Sequence, residues 1–235
     1  MDTAAPRAWE RVLARIEDDL LSGRISPGQR LPGERALAAE LQVGRSSVRE
    51  AMRVLEALGL LRAQTGSGPD AGAIILARPT GGMSALMRLQ VAGSGFPVRD
   101  VVRTRLVLES SSARELAARG EPVDLAAAEE LLEAMDDTAL SPEEFLVLDA
   151  QFHLALAQAA GNQVITAMMA GLRDSIEDYT RRTVPLLESW AATSARLRTE
   201  HRGVLDAVRT GDPDLADARI TAHIKGYYAD GGLHL

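Results

Sequence analysis

Between residues 7 and 22, Val12, Leu13, Ile16 and Leu20 repeat at the spacing of three and four that draws one apolar stripe down a helix, and the pattern stops at Gly23. The stretch RISPGQRLPGE that follows is broken by Pro27, Gly28, Pro32 and Gly33 and predicts a loop. Gly33 can serve as a permissive N-cap for a short helix from Glu34 to about Leu41. After the turn QVG, a third helix is predicted from about Arg45 to Ala57, with Val48, Met52 and Leu55 facing inward and Gly59 ending it. LLRAQTGSGPDAGAIILA then predicts two short strands, about 60–64 and 73–77, around a glycine-rich tip.

From residue 80 the pattern is helical throughout, over about 82–92, 98–119, 123–138, 142–160, 163–184, 188–210 and 213–229. The separators GSGFP, GEPV, LSP, GN and GDP are short, and short links between long amphipathic helices make antiparallel neighbours. The expected fold is therefore mainly α, with three helices and a two-stranded wing followed by an all-α antiparallel helical bundle. The boundary is expected near ARPTGG, residues 77–82, giving domains at 1–78 and 79–235.

With 235 residues and 46% apolar composition, each part can bury a core of its own. No window approaches 18 uncharged apolar residues, and MDTAAPRAWE has neither a basic start nor an apolar run. No membrane span or secretory signal is expected, which places the chain in the cytoplasm. The absence of cysteine removes disulfides and thiolate metal sites together, so a metal here must be held by oxygen and imidazole nitrogen. A net charge of −7 argues against nucleic acid as a partner until its distribution is read. Residues 1–79 hold 11 arginines against 10 acidic residues, so the acidic excess lies in the rest of the chain.

In RSSVREAMR, Arg45, Arg49 and Arg53 stand four residues apart and oppose the apolar stripe of the third helix. Three such charges alone are compatible with a solvated helix face. Their setting points elsewhere: a helix, a short helix, a tight turn, an arginine-bearing helix and a two-stranded wing is the order of a winged helix-turn-helix, whose second motif helix enters the major groove. Arginine suits that place because its planar fork bonds guanine acceptors bidentately or clamps a phosphate. LPGERALAAELQVGRSSVREAMRVLEALGLL closely resembles the signature of the GntR family of DNA-binding regulators. The resemblance covers residues 10 to about 68. It implies Arg35, Arg45 and Arg49 as the principal DNA contacts, Ser46 and Ser47 near phosphates at the helix start, and Gly66 at the wing tip. Gly33 and Gly44 replace the serines usual in that signature, and the wing TGSGPDAGA is longer than usual and carries Asp70.

Polar residues on buried stripes mark the second half. Asp149 and His153 lie at i, i+4 on the stripe Phe145, Leu148, Phe152, Leu156, which stacks two ligand-capable groups on one helix face. An unpaired buried carboxylate is costly, so something must compensate Asp149. His201 sits on the stripe Trp190, Leu197, Leu205, Val208, and His223 beside Ile220, Ile224 and Tyr227. Any one of these histidines alone reads as a core residue bonded to a carbonyl; together with Asp149 they form a donor set suited to zinc, nickel, manganese, cobalt or iron. In VVRTRLVLE, Arg105 and Glu109 also fall on the buried face, either as an internal ion pair or with Arg105 awaiting a ligand carboxylate. The two roles can alternate, Glu109 holding Arg105 until ligand arrives. Asn162 is read as the N-cap of the next helix, with a ligand contact as the alternative, and His234 as a tail residue.

From about residue 83 to 229, RLVLE, DAQFH, TEHRGVLDAV and ARITAHI make the chain look like the FCD effector domain of the FadR subfamily of GntR regulators. That resemblance implies a dimerising helical bundle, Asp149, His153, His201 and His223 as ligands of a divalent metal, and Arg105 in contact with a small carboxylate effector. The expectation is a homodimeric repressor on a pseudo-palindromic double-stranded DNA operator, without a membrane partner. The alternatives are a metal-dependent enzyme built on the bundle, and a regulator whose Asp149 and histidines form a metal-free structural network.

Overall fold

The stripe Val12, Ile16 belongs to helix α1 (Ala8–Leu21), which buries it against Leu37 of α2 (Glu34–Leu41) and against Val48, Ala51 and Leu55 of α3 (Arg45–Ala57). The computed structural model describes residues 6–64, 72–76, 81–94, 96–120 and 122–233, and divides the chain into two compact units, Met1–Ala85 and Leu86–Leu235. The division falls inside α4 (Gly82–Ser94) rather than in the ARPTGG stretch. Gly82 explains why the first turn of that helix goes with the first unit. A Cβ there would meet the Leu58 carbonyl oxygen at 1.7 Å, so only glycine permits the approach.

The first unit is a winged helix-turn-helix. Gly33 and Gly44 cap α2 and α3 without a side-chain bond, and the tight turn between them passes through Gln42 at φ 51°. Gly59, at φ 68°, ends α3 and lets Leu60 N–H return to the Leu55 carbonyl at 2.9 Å. Strands β1 (Leu61–Gln64) and β2 (Gly72–Ile75) pair antiparallel with Leu61 opposite Ile75. The stretch expected as plain loop does more. Turned by Pro27 and Gly28, it runs beside β2, where Ile75 N–H donates to Gln29 O at 3.0 Å and Leu31 N–H to Ala73 O at 2.9 Å. Gly66 and Asp70 lie outside the described residues.

The second unit is an all-α bundle of α5 (Val98–Ala118), α6 (Ala126–Ala134), α7 (Pro142–Ala159), α8 (Gln163–Thr183), α9 (Trp190–Arg209) and α10 (Pro213–Asp230). Its core holds Leu116, Met135, Phe145, Phe152, Leu197, Leu205, Ile220 and Ile224. Side-chain caps set the helix starts. Ser141 and Glu144 form a capping box at α7, Asn162 Oδ1 accepts from Val164 and Ile165 N–H, and Ser189 and Asp212 cap α9 and α10. Helix α6 is shorter than the expected 123–138 for the same reason. Asp124 Oδ1 accepts from Ala126 N–H and Asp137 Oδ1 from Ala139 N–H, so both ends go to side-chain turns that compete with helix. Among the described residues, no helix is long and apolar enough to cross a membrane.

Candidate metal centre and nucleic-acid interface

With Val48, Ala51 and Leu55 buried, the geometry of α3 forces Arg45, Arg49 and Arg53 to the opposite side, and all three are exposed. Ser46 is exposed and Ser47 half-buried at the helix start; Arg35 is exposed on the first turn of α2. Ser46, Arg49, Glu50, Arg53, Val54 and Ala57 line a shallow groove on the outer face of α3. Arg49 Nε lies 3.1 Å from Glu34 Oε2, a bond that uses one of the five donors of its fork. Gly44 gives α3 no side-chain cap, and Gly44, Arg45 and Ser46 are exposed, so the positive end of the helix dipole is open to an outside acceptor. A ridge of arginine forks beside a bare helix start is chemically suited to phosphates and guanine edges.

The second unit brings together four groups from three helices. Asp149 and His153 project from one face of α7, His201 from α9 and His223 from α10. All four are buried, and one ligand atom from each lies within 4.8 Å of the others. His201 Nε2 is 3.1 Å from Asp149 Oδ1 and 3.2 Å from His223 Nε2, which is in turn 3.1 Å from His153 Nε2.

The second nitrogen of each ring decides what its Nε2 can do. His223 Nδ1 lies 2.9 Å from Glu200 Oε2. His153 Nδ1 lies 2.5 Å from Glu109 Oε2, a close charge contact without an aligned hydrogen bond. A carboxylate only accepts, so each Nδ1 is assigned the proton and each Nε2 a bare lone pair. Two lone pairs 3.1 Å apart repel, and a cation between them turns that repulsion into ligation. The donor set therefore fits a divalent ion, with Glu109 and Glu200 as the outer carboxylates that orient its imidazoles. His201 differs, since its Nδ1 is buried without a hydrogen-bond partner.

The electrostatics agree. Burial would raise the pKa of Asp149, but His153 and His201 outweigh it and hold the carboxylate below its usual range. Burial lowers His201, against the pull of Asp149, and lowers His223 further, with His201 and His153 adding to the effect. An ionised Asp149 beside His201 and His223 held neutral is the protonation state that a metal requires of them.

Arg105 and Glu109 sit side by side on α5, 3% and 4% exposed, with Arg105 Nε donating to Glu109 Oε1 at 2.6 Å. Burial opposes the charge on Glu109, yet Arg105 and His153 bring its pKa down to about 2. A small cavity beside them is lined by Arg105, Glu109, His153, Met169, Arg173 and Ile176. The Tyr228 hydroxyl is buried nearby without a hydrogen-bond partner; burial raises its pKa, while Arg105 lowers it. Asn162 is exposed and its side-chain oxygen is engaged in the α8 cap.

Three of these features escape a reading of single helices. The contact of Glu109 with His153 joins α5 to α7, that of Glu200 with His223 joins α9 to α10, and Tyr228 approaches Arg105 from α10. In the sequence, the adjacency of Glu200 to His201 was a signal, but its partner lies on the next helix.

Two family models match the chain: "Bacterial regulatory proteins, gntR family" over residues 8–69 and "FCD domain" over residues 100–226. The HTH-type transcriptional repressor NanR of Citrobacter rodentium is 31% identical over 235 residues, covering 96% of this chain and 86% of that protein. The HTH-type transcriptional regulator LutR of Bacillus subtilis is 29% identical over 204 residues, covering 86% of this chain and 91% of that protein. Among solved structures, Streptococcus agalactiae GntR shares 26% identity at a TM-score of 0.61, covering 92% of this chain and 96% of that one. These families and relatives are transcriptional regulators and not enzymes.

Proposed function

Since the chain belongs to the gntR family of bacterial regulatory proteins and carries an FCD domain behind its DNA-binding half, we propose that it is a cytoplasmic repressor acting as a homodimer. Residues 1–78 present α3 to a pseudo-palindromic operator, and two copies place two such helices in successive major grooves. Arg35, Arg45 and Arg49 contact the duplex, with Ser46 and Ser47 beside its phosphates. In residues 79–235, Asp149, His153, His201 and His223 hold a divalent cation, zinc in the first place. A small carboxylate binds beside it through Arg105. Asn162 has no part in this proposal because its oxygen serves the helix cap.

The convergence of the His153 and His223 Nε2 atoms, with a carboxylate beside Nδ1 of each ring, supports the metal assignment. A cation so held supplies positive charge to which an anionic effector can bind. To alter operator affinity, that effector must bind two arrangements of the protein unequally. Elemental analysis of protein purified without chelator or affinity tag is expected to give one divalent ion per chain; none means that the cluster is a metal-free network. For the DNA face, Arg49→Ala is tested on a duplex selected by the wild type from a random library. Loss of about 1–3 kcal/mol is expected, roughly 5- to 150-fold, with the fold intact. Unchanged affinity removes Arg49 from the interface.

A further inference from the structure

Glu109 touches both halves of the proposed effector and metal region. One oxygen takes the Nε–H of Arg105 at 2.6 Å, and the other faces Nδ1 of His153 at 2.5 Å, with all three side chains buried. We infer that Glu109 is a positioning residue that couples Arg105 to the metal centre: it keeps the His153 proton on Nδ1, so that Nε2 faces the cation, and Arg105 sets how strongly it does so. This rests on the reading that Asp149 and the three histidines hold a metal.

The coupling follows from donor and acceptor arithmetic. Arginine can only donate, so Arg105 requires an acceptor at Oε1 of residue 109. Glu109 meets this and still offers an acceptor to His153. A glutamine there has one acceptor and one donor. Arg105 claims the acceptor, which leaves the amide nitrogen facing His153 Nδ1. Nδ1 must then accept, the ring proton moves to Nε2, and the proton occupies the direction the cation needs. Glu109→Gln keeps shape and volume but reverses the tautomer. If Arg105 is also replaced by methionine, nothing holds the amide, which can turn its oxygen to His153 and restore the ligating tautomer.

Arg105→Met alone should act in the opposite sense. Glu109 then directs its whole charge to His153, and the cation gains a more anionic surrounding. An anion that draws Arg105 away from Glu109 has the same effect, so anion and metal each raise the affinity of the other, by reciprocity of linkage.

The test is zinc affinity of the full chain, by competition with a chromophoric chelator, together with ¹H–¹⁵N spectra of the imidazole nitrogens. For Glu109→Gln, zinc affinity is expected to fall about 10- to 100-fold, with the His153 proton on Nε2 in the zinc-free spectrum. Arg105→Met should bind zinc at least as tightly as the wild type, and Arg105→Met/Glu109→Gln more tightly than Glu109→Gln. A packing defect would weaken all three. Equal zinc affinity of Glu109→Gln and wild type, or a double variant no better than Glu109→Gln, overturns the inference. A wild type without stoichiometric zinc overturns the metal reading instead. If Arg105→Met fails to fold, Glu109→Gln and the double variant still decide the matter.

Discussion

Among the described residues each unit buries one aspartate, and the two are satisfied in opposite ways. Asp19, 2% exposed in α1, receives Arg15 Nε at 2.9 Å on one oxygen and Arg24 Nε at 2.5 Å on the other. Asp149, 5% exposed in α7, faces imidazoles, and the nearest nitrogen, His201 Nε2, already lies within 3.2 Å of another ring nitrogen. Permanently charged donors complete Asp19 from within the chain. Around Asp149 there are more acceptors than protons to share among them. Burial of a carboxylate is therefore no mark of a site in itself; a deficit of donors around it is.

Removing metal should produce the widest divergence between the units. A ligand present at a thousandfold over its dissociation constant adds about 4 kcal/mol to the stability of the state that binds it. Each unit has its own tryptophan, since Trp9 packs on the first core and Trp190 stands edge-on to Phe145 at 5.4 Å between centroids. Fluorescence of Trp9→Phe and Trp190→Phe variants thus follows the second and first units separately. Chelator should lower the melting temperature reported by Trp190 and leave that reported by Trp9 nearly unchanged. Equal shifts in both would erase the contrast.

Smaller and more specific is the exchange of each aspartate for asparagine. Asp19→Asn weakens two charge-assisted bonds, and a loss of roughly 1–3 kcal/mol is expected whether or not metal is present. Asp149→Asn should cost more in metal-loaded protein than after chelation, because only the loaded protein loses a metal ligand in addition to the contact with His201. Urea unfolding of both variants with and without chelator checks this. A chelator-dependent penalty at Asp19, or a chelator-independent one at Asp149, would show that the two sites had been distinguished wrongly.

Much of this contrast could be read from the chain before folding. The bounds of α2 and α3 follow from Gly33, Gly44 and Gly59 around a strict apolar stripe, and the four-residue spacing of Arg45, Arg49 and Arg53 puts them on one exposed face. The spacing of Asp149 and His153 and their place on a buried stripe were equally visible. Less visible were the ends of α6, where Asp124 and Asp137 bond locally to backbone N–H groups and override a continuous apolar pattern. Nor could periodicity pair Glu109 with His153 or Glu200 with His223. Those contacts join different helices, and a helical period describes one helix at a time. The same holds for Asp19, whose second partner, Arg24, lies past the end of α1.

The smallest expected difference between the units is in pH, and its sign follows from proton counts. In metal-free protein, burial lowers His201 and His223 below their ordinary 6.5, so between that value and the folded-state values the unfolded chain binds more protons. Their contribution is present above about pH 6.5 and is lost as pH falls below it, with a slope of up to about 1.4 kcal/mol per pH unit for each histidine. For Asp19, burial opposes the charge but Arg24 and Arg15 outweigh it and depress the pKa below 3.8, so its contribution survives to about pH 4 and is lost only below that. Between pH 7 and 5 the Trp190 signal should therefore report falling stability while the Trp9 signal holds. Metal deepens the fall, because protons compete with the cation for the same imidazoles. A second unit whose stability stays flat over that range, with and without zinc, would mean that its histidines are not held neutral by burial.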